Sequence, residues 1–270
     1  MEEELSELIS IARCAANAGA EAHRHAIEKG SFRIDTKASP FDLVTEIDRH
    51  SEQEIVSTIR AARPNDGIIS EEGANFPGAS RVRWVLDPLD GTTNFVHRYP
   101  AHSVAVGVEI DGKRVIGVVH DTFSNRVYAG IVGKGADCDG KPITVRQEQI
   151  LSQALVGTGF LPNKTARREQ AGLLREILPH VRDIRRSGCP SLDICGVASG
   201  VLDAFYEFGL GPWDISAASA IAEAAGASVL LFNSRRLPDP LLVVANAGLS
   251  AALVTLLTEA GAIDLVSSEP

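Results

Sequence analysis

The stretch Trp84–Phe95 reads WVLDPLDGTTNF and holds two carboxylates close together at the end of an apolar run. The residues Trp84–Leu86 predict a strand, and Asp87 and Asp90 follow it with a proline between them. Proline fixes φ near about −65° and lacks an N–H donor, so a turn at this point would be rigid. Such a turn would bring both carboxylates to one point and expose the carbonyl of Leu89 as a third oxygen.

This set of oxygens is typical of a site for a hard divalent cation. Mg²⁺ takes a few carboxylates, keeps several waters and commonly binds substrate phosphate. The next residues, Gly91–Thr93, predict the start of a helix whose free N–H groups can bind an anionic oxygen. A metal site beside an anion-binding turn indicates phosphate chemistry. The structural alternative is that Asp90 caps a helix or turn and Asp87 ends a strand, both satisfied locally.

Two further acidic segments favour the functional interpretation. Glu71 lies in ISEEG at the end of an apolar run, and Asp214 lies in GPWD before the apolar residues 215–225. Each has a structural alternative, since Glu71 fits a surface acid and Asp214 fits a helix N-cap. Together with Asp87 and Asp90, they place all these carboxylates at the ends of strands or helices, where functional sites are common.

Composition narrows the expected partners. The 270 residues carry a net charge of −9, with 44% hydrophobic and 23% charged residues, as in ordinary globular proteins. Nucleic acids and anionic membranes are therefore poor expected partners. The acidic N-terminus MEEELSEL does not resemble a signal peptide, no apolar run reaches the length of a membrane span, and the four cysteines lack C-x-x-C spacing. We therefore expect a cytoplasmic protein with reduced thiols.

The pattern of the sequence divides the chain into two predicted halves, 1–147 and 148–270. In the first half, helical patterns at 3–29 and 44–62 precede strand patterns that favour an antiparallel sheet. In the second half, strands and helices alternate, which indicates α/β architecture. The first half would carry the DPLDGT segment, and the second half would carry the WD segment.

Four segments, in chain order, resemble those of the inositol monophosphatase family, a family of Mg²⁺-dependent, lithium-sensitive phosphatases. The segments are Pro40–Asp48 (PFDLVTEID), Ile69–Gly73 (ISEEG), Asp87–Phe95 (DPLDGTTNF) and Trp213–Ala218 (WDISAA). The resemblance implies the fold of that family, a layered αβαβα sandwich of the inositol monophosphatase and fructose-1,6-bisphosphatase type. It also implies that the protein forms a homodimer.

The resemblance further assigns roles to individual residues. The implied ligands of about two or three Mg²⁺ ions are Glu71, Asp87, the carbonyl of Leu89, Asp90 and Asp214. Thr92 and Glu71 would orient and deprotonate the attacking water, and Asp48 and Lys37 match an acid and a lysine beside the metal site. The implied substrate contacts are Asp90, Gly91, Thr92, Gly188, Cys189, Glu207 and Asp214. Among these, the amides of Gly91 and Thr92 would cradle the phosphate, and Glu207 would bind substrate hydroxyls.

The segment Gly188–Asp193 (GCPSLD) departs from the family pattern G-[ST]-A-A-x-[DN]. Cys189 puts a thiol where the family has a hydroxyl, and Pro190 removes an amide donor. Because this segment lines the alcohol side of the substrate in the family, the departure leaves the identity of the alcohol open. The structural alternative is that Cys189 is a small buried hydrophobic residue without a role.

The favoured function is hydrolysis of inositol monophosphate to inositol and phosphate by metal-activated water. Alternatives keep the chemistry and change the substrate to fructose 1,6-bisphosphate, 3′-phosphoadenosine 5′-phosphate or histidinol phosphate. A further alternative is a non-catalytic regulatory protein on the same fold. The pairs Arg167–Arg168, Arg185–Arg186 and Arg235–Arg236 are interpreted as solvent-exposed or interface side chains, with contact to a second phosphate as the alternative for one pair.

Overall fold

A computed structural model describes residues 2–30, 33–36 and 43–263. Its helices are α1 (Glu2–Lys29), α2 (Glu46–Ala62), α3 (Thr92–His97), α4 (Lys164–Ile177), α5 (Pro190–Ala198), α6 (Pro212–Ala224) and α7 (Ala247–Glu259). Its strands are β1 (Ile34–Thr36), β2 (Leu43–Thr45), β3 (Gly67–Ser70), β4 (Asn75–Phe76), β5 (Val82–Asp90), β6 (Ser103–Ile110), β7 (Lys113–Asp121), β8 (Arg126–Ile131), β9 (Gly135–Cys138), β10 (Lys141–Ile143), β11 (Leu155–Thr158), β12 (Asp183–Arg185), β13 (Ala204–Phe208), β14 (Ala227–Phe232) and β15 (Leu241–Asn246). Short 3₁₀ helices span Leu151–Gln153 and Leu178–His180.

The chain forms a large sheet from its first half and a smaller one from its second half. The larger sheet has eight strands in the order β10-β9-β8-β7-β6-β5-β3-β4, and only its β3–β5 pair is parallel. The smaller sheet has five strands in the order β12-β11-β13-β15-β14, parallel through β12, β11 and β13 and antiparallel beyond. The predicted antiparallel sheet and the predicted alternation of strands and helices are both confirmed in outline.

Alternating side chains on the strands bury both faces of each sheet. On β15, Leu241, Val243 and Ala245 pack in the cluster under α4 and α7, whereas Leu242 and Val244 pack in the cluster with α5 and α6. The larger sheet likewise has α1 and α2 on one face and α5 and α6 on the other. This period-two pattern produces five layers, α1–α2, sheet, α5–α6, sheet and α4–α7, which confirms the predicted αβαβα sandwich.

Three glycines on adjacent strands allow α6 to pack closely on the larger sheet. Gly107 is paired with Gly117 between β6 and β7, and Gly117 is paired with Gly130 between β7 and β8. A Cβ atom at Gly117 would overlap the carbonyl oxygen of Ala217, and one at Gly130 would lie 3.0 Å from Cα of Ile221. The missing side chains therefore allow the backbone of α6 to approach the sheet directly, which fixes the position of this helix.

The two acids of the DPLD segment lie within β5, not after it. Asp87 is paired with Ala105 and Asp90 with Ser103, so β5 has one residue more than β6 between these pairs. The prediction that the strand ends at Leu86 and turns is therefore wrong. The reason is that a β-bulge accommodates a proline without an N–H, and it bends the strand while the pairing with β6 resumes.

Elements that were not predicted include the helix at Ala247–Glu259, the strands within Gly135–Ile143 and the short strands β1, β2 and β4. The division into halves at 147 and 148 stays a prediction, because the layer of α5 and α6 packs on both sheets. Lys37 and the residues Pro40–Asp42 of the first family segment lie outside the described residues. No helix within the described ranges is both long and apolar enough to cross a membrane.

Candidate active site

The bulge in β5 is anchored through the carbonyl of Pro88. This oxygen accepts a hydrogen bond from the hydroxyl of Ser51 at 2.8 Å and lies 2.9 Å from Nε2 of His23. Because a carbonyl can only accept, Nε2 of His23 carries the proton. Burial, followed by the nearby His102 ring, lowers the pKa of His23 to about 3, so His23 is neutral. Neither anchoring residue was predicted, since their positions in α1 and α2 look like ordinary helix positions.

The carboxylate of Asp87 is buried without full hydrogen bonding. Its Oδ1 accepts the N–H of Leu89 at 3.1 Å, whereas its Oδ2 has no hydrogen-bond partner among the described residues. Burial, then the negative charges of Glu71, Asp90 and Asp214, raise the pKa of Asp87 well above its usual value. A buried, unpartnered carboxylate oxygen among other carboxylates is costly unless a cation compensates it. The all-oxygen donor set fits a hard divalent cation such as Mg²⁺.

These acidic side chains face a shared region without forming a closed ligand set. Among the described residues, no three acidic, histidine or cysteine side chains are already gathered in this structure in the arrangement of a bound metal ion. Asp214 instead accepts the N–H of Gly211, the N-cap of α6, at 2.5 Å. Asp214 is therefore a third-position residue of its helix and not the N-cap, and its role as a metal ligand stays a prediction.

Thr92 links the start of α3 to the start of α2. Its hydroxyl oxygen lies 3.1 Å from the carbonyl oxygen of Leu89 and 3.2 Å from Oδ1 of Asp48. The other carboxylate oxygen of Asp48 accepts the N–H and the hydroxyl of Thr45 at 2.7 and 2.6 Å, in a capping box. Asp48 thus has a structural role in α2 and also holds Thr92 beside the DPLD bulge.

Gly91 precedes Thr92 in a conformation that other residues rarely adopt. Its φ is +83°, and a Cβ atom there would lie 2.8 Å from the carbonyl oxygen of Ala101. As the N-cap of α3, Gly91 offers no side chain to the N–H groups of the first turn. The binding of an anionic oxygen by N–H groups at this turn stays a prediction.

A cavity of about 740 Å³ lies between the two halves of the chain. Of the predicted site residues, those that line it are Glu71, Asp90, Gly91, Thr92, Gly188 and Asp214. The remainder are buried around it: Asp48, Asp87, Leu89, Cys189 and Glu207. The cavity is therefore lined by residues from both halves of the chain.

The second half contributes a buried carboxylate, Glu207, which interacts with the lining residues Asp214 and Arg186. Glu207 lies against Gly159, where an added Cβ atom would overlap its carboxylate. Burial, followed by the charge of Asp214, raises the pKa of Glu207 well above its usual value, while Arg186 opposes this rise. Burial outweighs the opposing charge of Arg186, because an ion buried in protein loses the stabilisation of water.

Two arginines at the cavity were not among the predicted site residues. Arg167 and Arg186 both line the cavity, one from α4 and one from the residues before α5. The guanidinium of Arg186 occupies the space that a side chain at Gly188 would need. Both are exposed, which agrees with the interpretation of their pairs as solvent-exposed or interface side chains. Their place at the cavity also fits the alternative, contact with a second phosphate.

Asp193 makes the stability of the metal-free protein depend on pH. Burial raises its pKa to about 7, against an opposing hydrogen bond from Ser187. The folded state therefore holds a proton that the unfolded state releases near pH 4, so this residue's contribution to stability is present at pH 4 and lost as the pH rises to 7. In chelator, we expect Asp193→Asn to raise the free energy of unfolding at pH 8 on the order of 2–4 kcal/mol and to leave it nearly unchanged at pH 4.

Urea unfolding at both pH values measures this difference. Asp183→Asn is a control of opposite sign, since a hydrogen bond from Arg185 lowers the pKa of exposed Asp183 and its contribution is lost on acidification. Equal effects of Asp193→Asn at pH 4 and pH 8 would contradict the prediction.

Comparison with known proteins identifies close relatives. The family model described as the inositol monophosphatase family matches residues 4–263. A Mycobacterium tuberculosis H37Rv protein named inositol-1-monophosphatase SuhB is 42% identical over 228 residues, covering 81% of this chain and 78% of that protein.

Solved structures share the fold over nearly the whole chain. The extragenic suppressor protein SuhB from Bartonella henselae has a TM-score of 0.86 at 27% identity and covers 94% of this chain and 99% of its own. A structure of SaIMPase-II described as bound to inositol monophosphate has a TM-score of 0.74 at 25% identity, covering 94% and 98% of the two chains.

Proposed function

Since the chain belongs to the inositol monophosphatase family, we propose that this phosphatase hydrolyses a small phosphate monoester, most specifically inositol monophosphate, with Mg²⁺ as cofactor. The observation that carries the proposal is the unpartnered, buried Oδ2 of Asp87 inside a cluster of carboxylates. The inositol monophosphate in the SaIMPase-II relative supports the choice of substrate.

The predicted metal ligands and the predicted phosphate cradle would each have a part in this reaction. Bound Mg²⁺ supplies neutralisation of the phosphate dianion and activation of water. Glu71, Asp87, Asp90, Asp214 and the carbonyl of Leu89 would hold the cation. The N–H groups of Gly91 and Thr92 would bind a phosphate oxygen, which orients the ester towards the carboxylates.

Proton transfer would fall to Thr92 and Glu71. The Thr92 hydroxyl is held by Leu89 and Asp48, and from this fixed position it would orient the attacking water. Glu71, which lines the same cavity, would take the proton of that water. Glu207 would bind hydroxyls of the alcohol, because its carboxyl group is a hydrogen-bond partner for hydroxyl groups.

The proposal includes finer properties that the family resemblance implies. We propose two or three Mg²⁺ ions, about as many as phosphate-transferring metal sites use, and inhibition by lithium at one of their positions. We propose a homodimer that covers exposed apolar side chains such as Tyr99 and Phe123, which are 54% and 58% exposed. The free cysteines support a cytoplasmic location, and the net charge of −9 supports neither nucleic-acid nor membrane binding.

Phosphate release from a panel of esters tests the proposal. The panel contains inositol 1-phosphate, fructose 1,6-bisphosphate, 3′-phosphoadenosine 5′-phosphate, histidinol phosphate and 2-glycerophosphate, each with Mg²⁺, with chelator and with added lithium. We expect Mg²⁺-dependent release with the highest kcat/KM for inositol 1-phosphate. Release that persists in chelator would contradict the metal assignment. Absence of release from every ester would favour the non-catalytic alternative.

The two cavity arginines favour one second candidate, a substrate with a second anionic group such as a bisphosphate. Guanidinium groups bind phosphate strongly, and Arg167 and Arg186 line the same cavity as the predicted phosphate cradle. If this candidate holds, we expect Arg186→Gln to lower kcat/KM for fructose 1,6-bisphosphate by about 10-fold or more, as the loss of one charge-assisted contact implies.

The same variant should change kcat/KM for 2-glycerophosphate much less, because this ester has no second phosphate. Arg185→Gln is the matched control, since Arg185 is exposed and pairs with Asp183 at 2.6 Å. Equal losses of kcat/KM for both esters in Arg186→Gln would reject the second candidate.

A further inference from the structure

The carboxylate of Asp90 is held by donors from the opposite half of the chain. Its Oδ2 accepts the N–H of Ser191 at 2.8 Å, the hydroxyl of Ser191 at 2.5 Å and the thiol of Cys189 at 3.1 Å. None of these bonds involves the other oxygen, Oδ1. Asp90 itself is only 5% exposed, so water competes little for these contacts. Bonds to an ionised, buried carboxylate are stronger than neutral ones.

Ser103, on the larger sheet, contacts the side-chain donors of both Ser191 and Cys189. The hydroxyl of Ser103 lies 2.7 Å from the hydroxyl of Ser191 and 3.4 Å from the sulfur of Cys189. Ser103 is also the strand partner of Asp90 where the pairing resumes after the bulge. The hydroxyls and the thiol therefore form one buried network around a single carboxylate oxygen.

The start of α5 directs its first amide into this network. Pro190 occupies the first position of α5 and has no N–H, so the first N–H of the helix belongs to Ser191 and goes to Asp90. Gly188 and Pro190 line the cavity, whereas Cys189 between them is fully buried. The side chain of Cys189 thus contacts Asp90 and does not line the cavity in which a substrate would bind.

We propose that Cys189 and Ser191 are positioning residues that hold Oδ2 of Asp90, so that Oδ1 meets the cation in a fixed orientation. This inference rests on the proposed function, in which Asp90 is a metal ligand. It assigns the departure from the family pattern at Cys189 to the metal site and not to recognition of the alcohol. Metal affinity in the first half then depends on the start of a helix in the second.

Cation affinity of the full-length chain tests the proposal, with Mn²⁺ as a spectroscopic probe of the Mg²⁺ site. Cys189→Ala removes one donor to Asp90, and we expect it to weaken Mn²⁺ binding by about 10-fold, as losses of partners to metal ligands commonly do. Cys189→Ser keeps a donor and should restore most of the affinity. The KM for 2-glycerophosphate, measured at saturating Mg²⁺, separates this role from a contact with the substrate.

Cys195→Ala is the matched control. Cys195 lies on the same helix, is equally buried, and packs among apolar residues of the middle layer. It should lower the melting temperature as Cys189→Ala does, because both leave a small cavity, but it should leave Mn²⁺ affinity unchanged. If Cys189→Ala does not fold, Ser191→Ala, which removes the hydroxyl donor and keeps the N–H, should show the same loss of affinity.

The outcomes separate this inference from the function on which it rests. Mn²⁺ affinity of Cys189→Ala equal to that of wild type or of Cys195→Ala would overturn the positioning role alone. A raised KM for 2-glycerophosphate with unchanged Mn²⁺ affinity would assign Cys189 to the substrate and also overturn it. A wild-type protein that binds no Mn²⁺ and releases no phosphate would overturn the proposed function itself.

Discussion

Asp90→Asn is expected to lower Mg²⁺-dependent phosphate release by more than about 100-fold, since even the loss of a partner to a metal ligand can cost that much. The surrounding donors explain why an isosteric change is so severe. The position of Oδ2 receives donors from Ser191 and Cys189, so it must hold an acceptor. The asparagine oxygen must take this position, which turns the amide NH₂ towards the proposed cation.

The fold of this variant should persist, because an amide oxygen can still accept the bonds from α5. Phosphate release and Mn²⁺ affinity, measured beside the melting temperature, check the prediction. Asp111→Asn is a control for the loss of one charge, since Asp111 is exposed in a turn with φ +53° that asparagine tolerates. Near wild-type turnover of Asp90→Asn would remove Asp90 from the metal site.

Gly117→Ala is expected to have the largest effect on stability. Its Cβ atom would overlap the carbonyl oxygen of Ala217, which is helix backbone and cannot move as a side chain can. Either α6 shifts or β7 does, and overpacking of this kind costs about 1–3 kcal/mol or more of the free energy of unfolding. Because α6 carries Asp214, a shift of the helix should also weaken Mn²⁺ binding.

Urea unfolding and Mn²⁺ titration measure the two effects of Gly117→Ala. Gly172→Ala is the matched control, because the nearest atom to its Cβ would be 3.7 Å away at the end of Arg236. As a residue inside α4, it should raise the free energy of unfolding by roughly 0.5–1 kcal/mol. If Gly117→Ala leaves the free energy of unfolding unchanged, the position of α6 does not depend on the three glycines of the larger sheet.

The sequence predicts elements with a strong local pattern and misses those whose geometry depends on distant residues. The periodicity of α1 and α2 and the Asp111–Gly112 hairpin turn can be read locally, and the structure confirms them. The bulge at Asp87–Asp90 cannot, because the pairing with β6 and the bonds from α1 and α2 to the carbonyl of Pro88 determine it.

The same limit applies to the candidate site. The residue types of Asp87, Asp90 and Asp214 and their positions in the sequence are enough to indicate oxygen ligands. The place of Arg186 at the cavity and the contact of Cys189 with Asp90 depend on the approach of the two halves, which one sequence does not reveal.

The layer of α5 and α6 has a consequence for synthesis on the ribosome. All strands of the larger sheet precede these helices in the chain, so the sheet emerges before its second face can be covered. That face bears Ala105, Val119 and Tyr128, which are buried in the finished protein. At about 5–20 residues per second, the nascent sheet exposes this apolar face for several seconds. We expect chaperone dependence and aggregation of the new chain to concentrate in that interval.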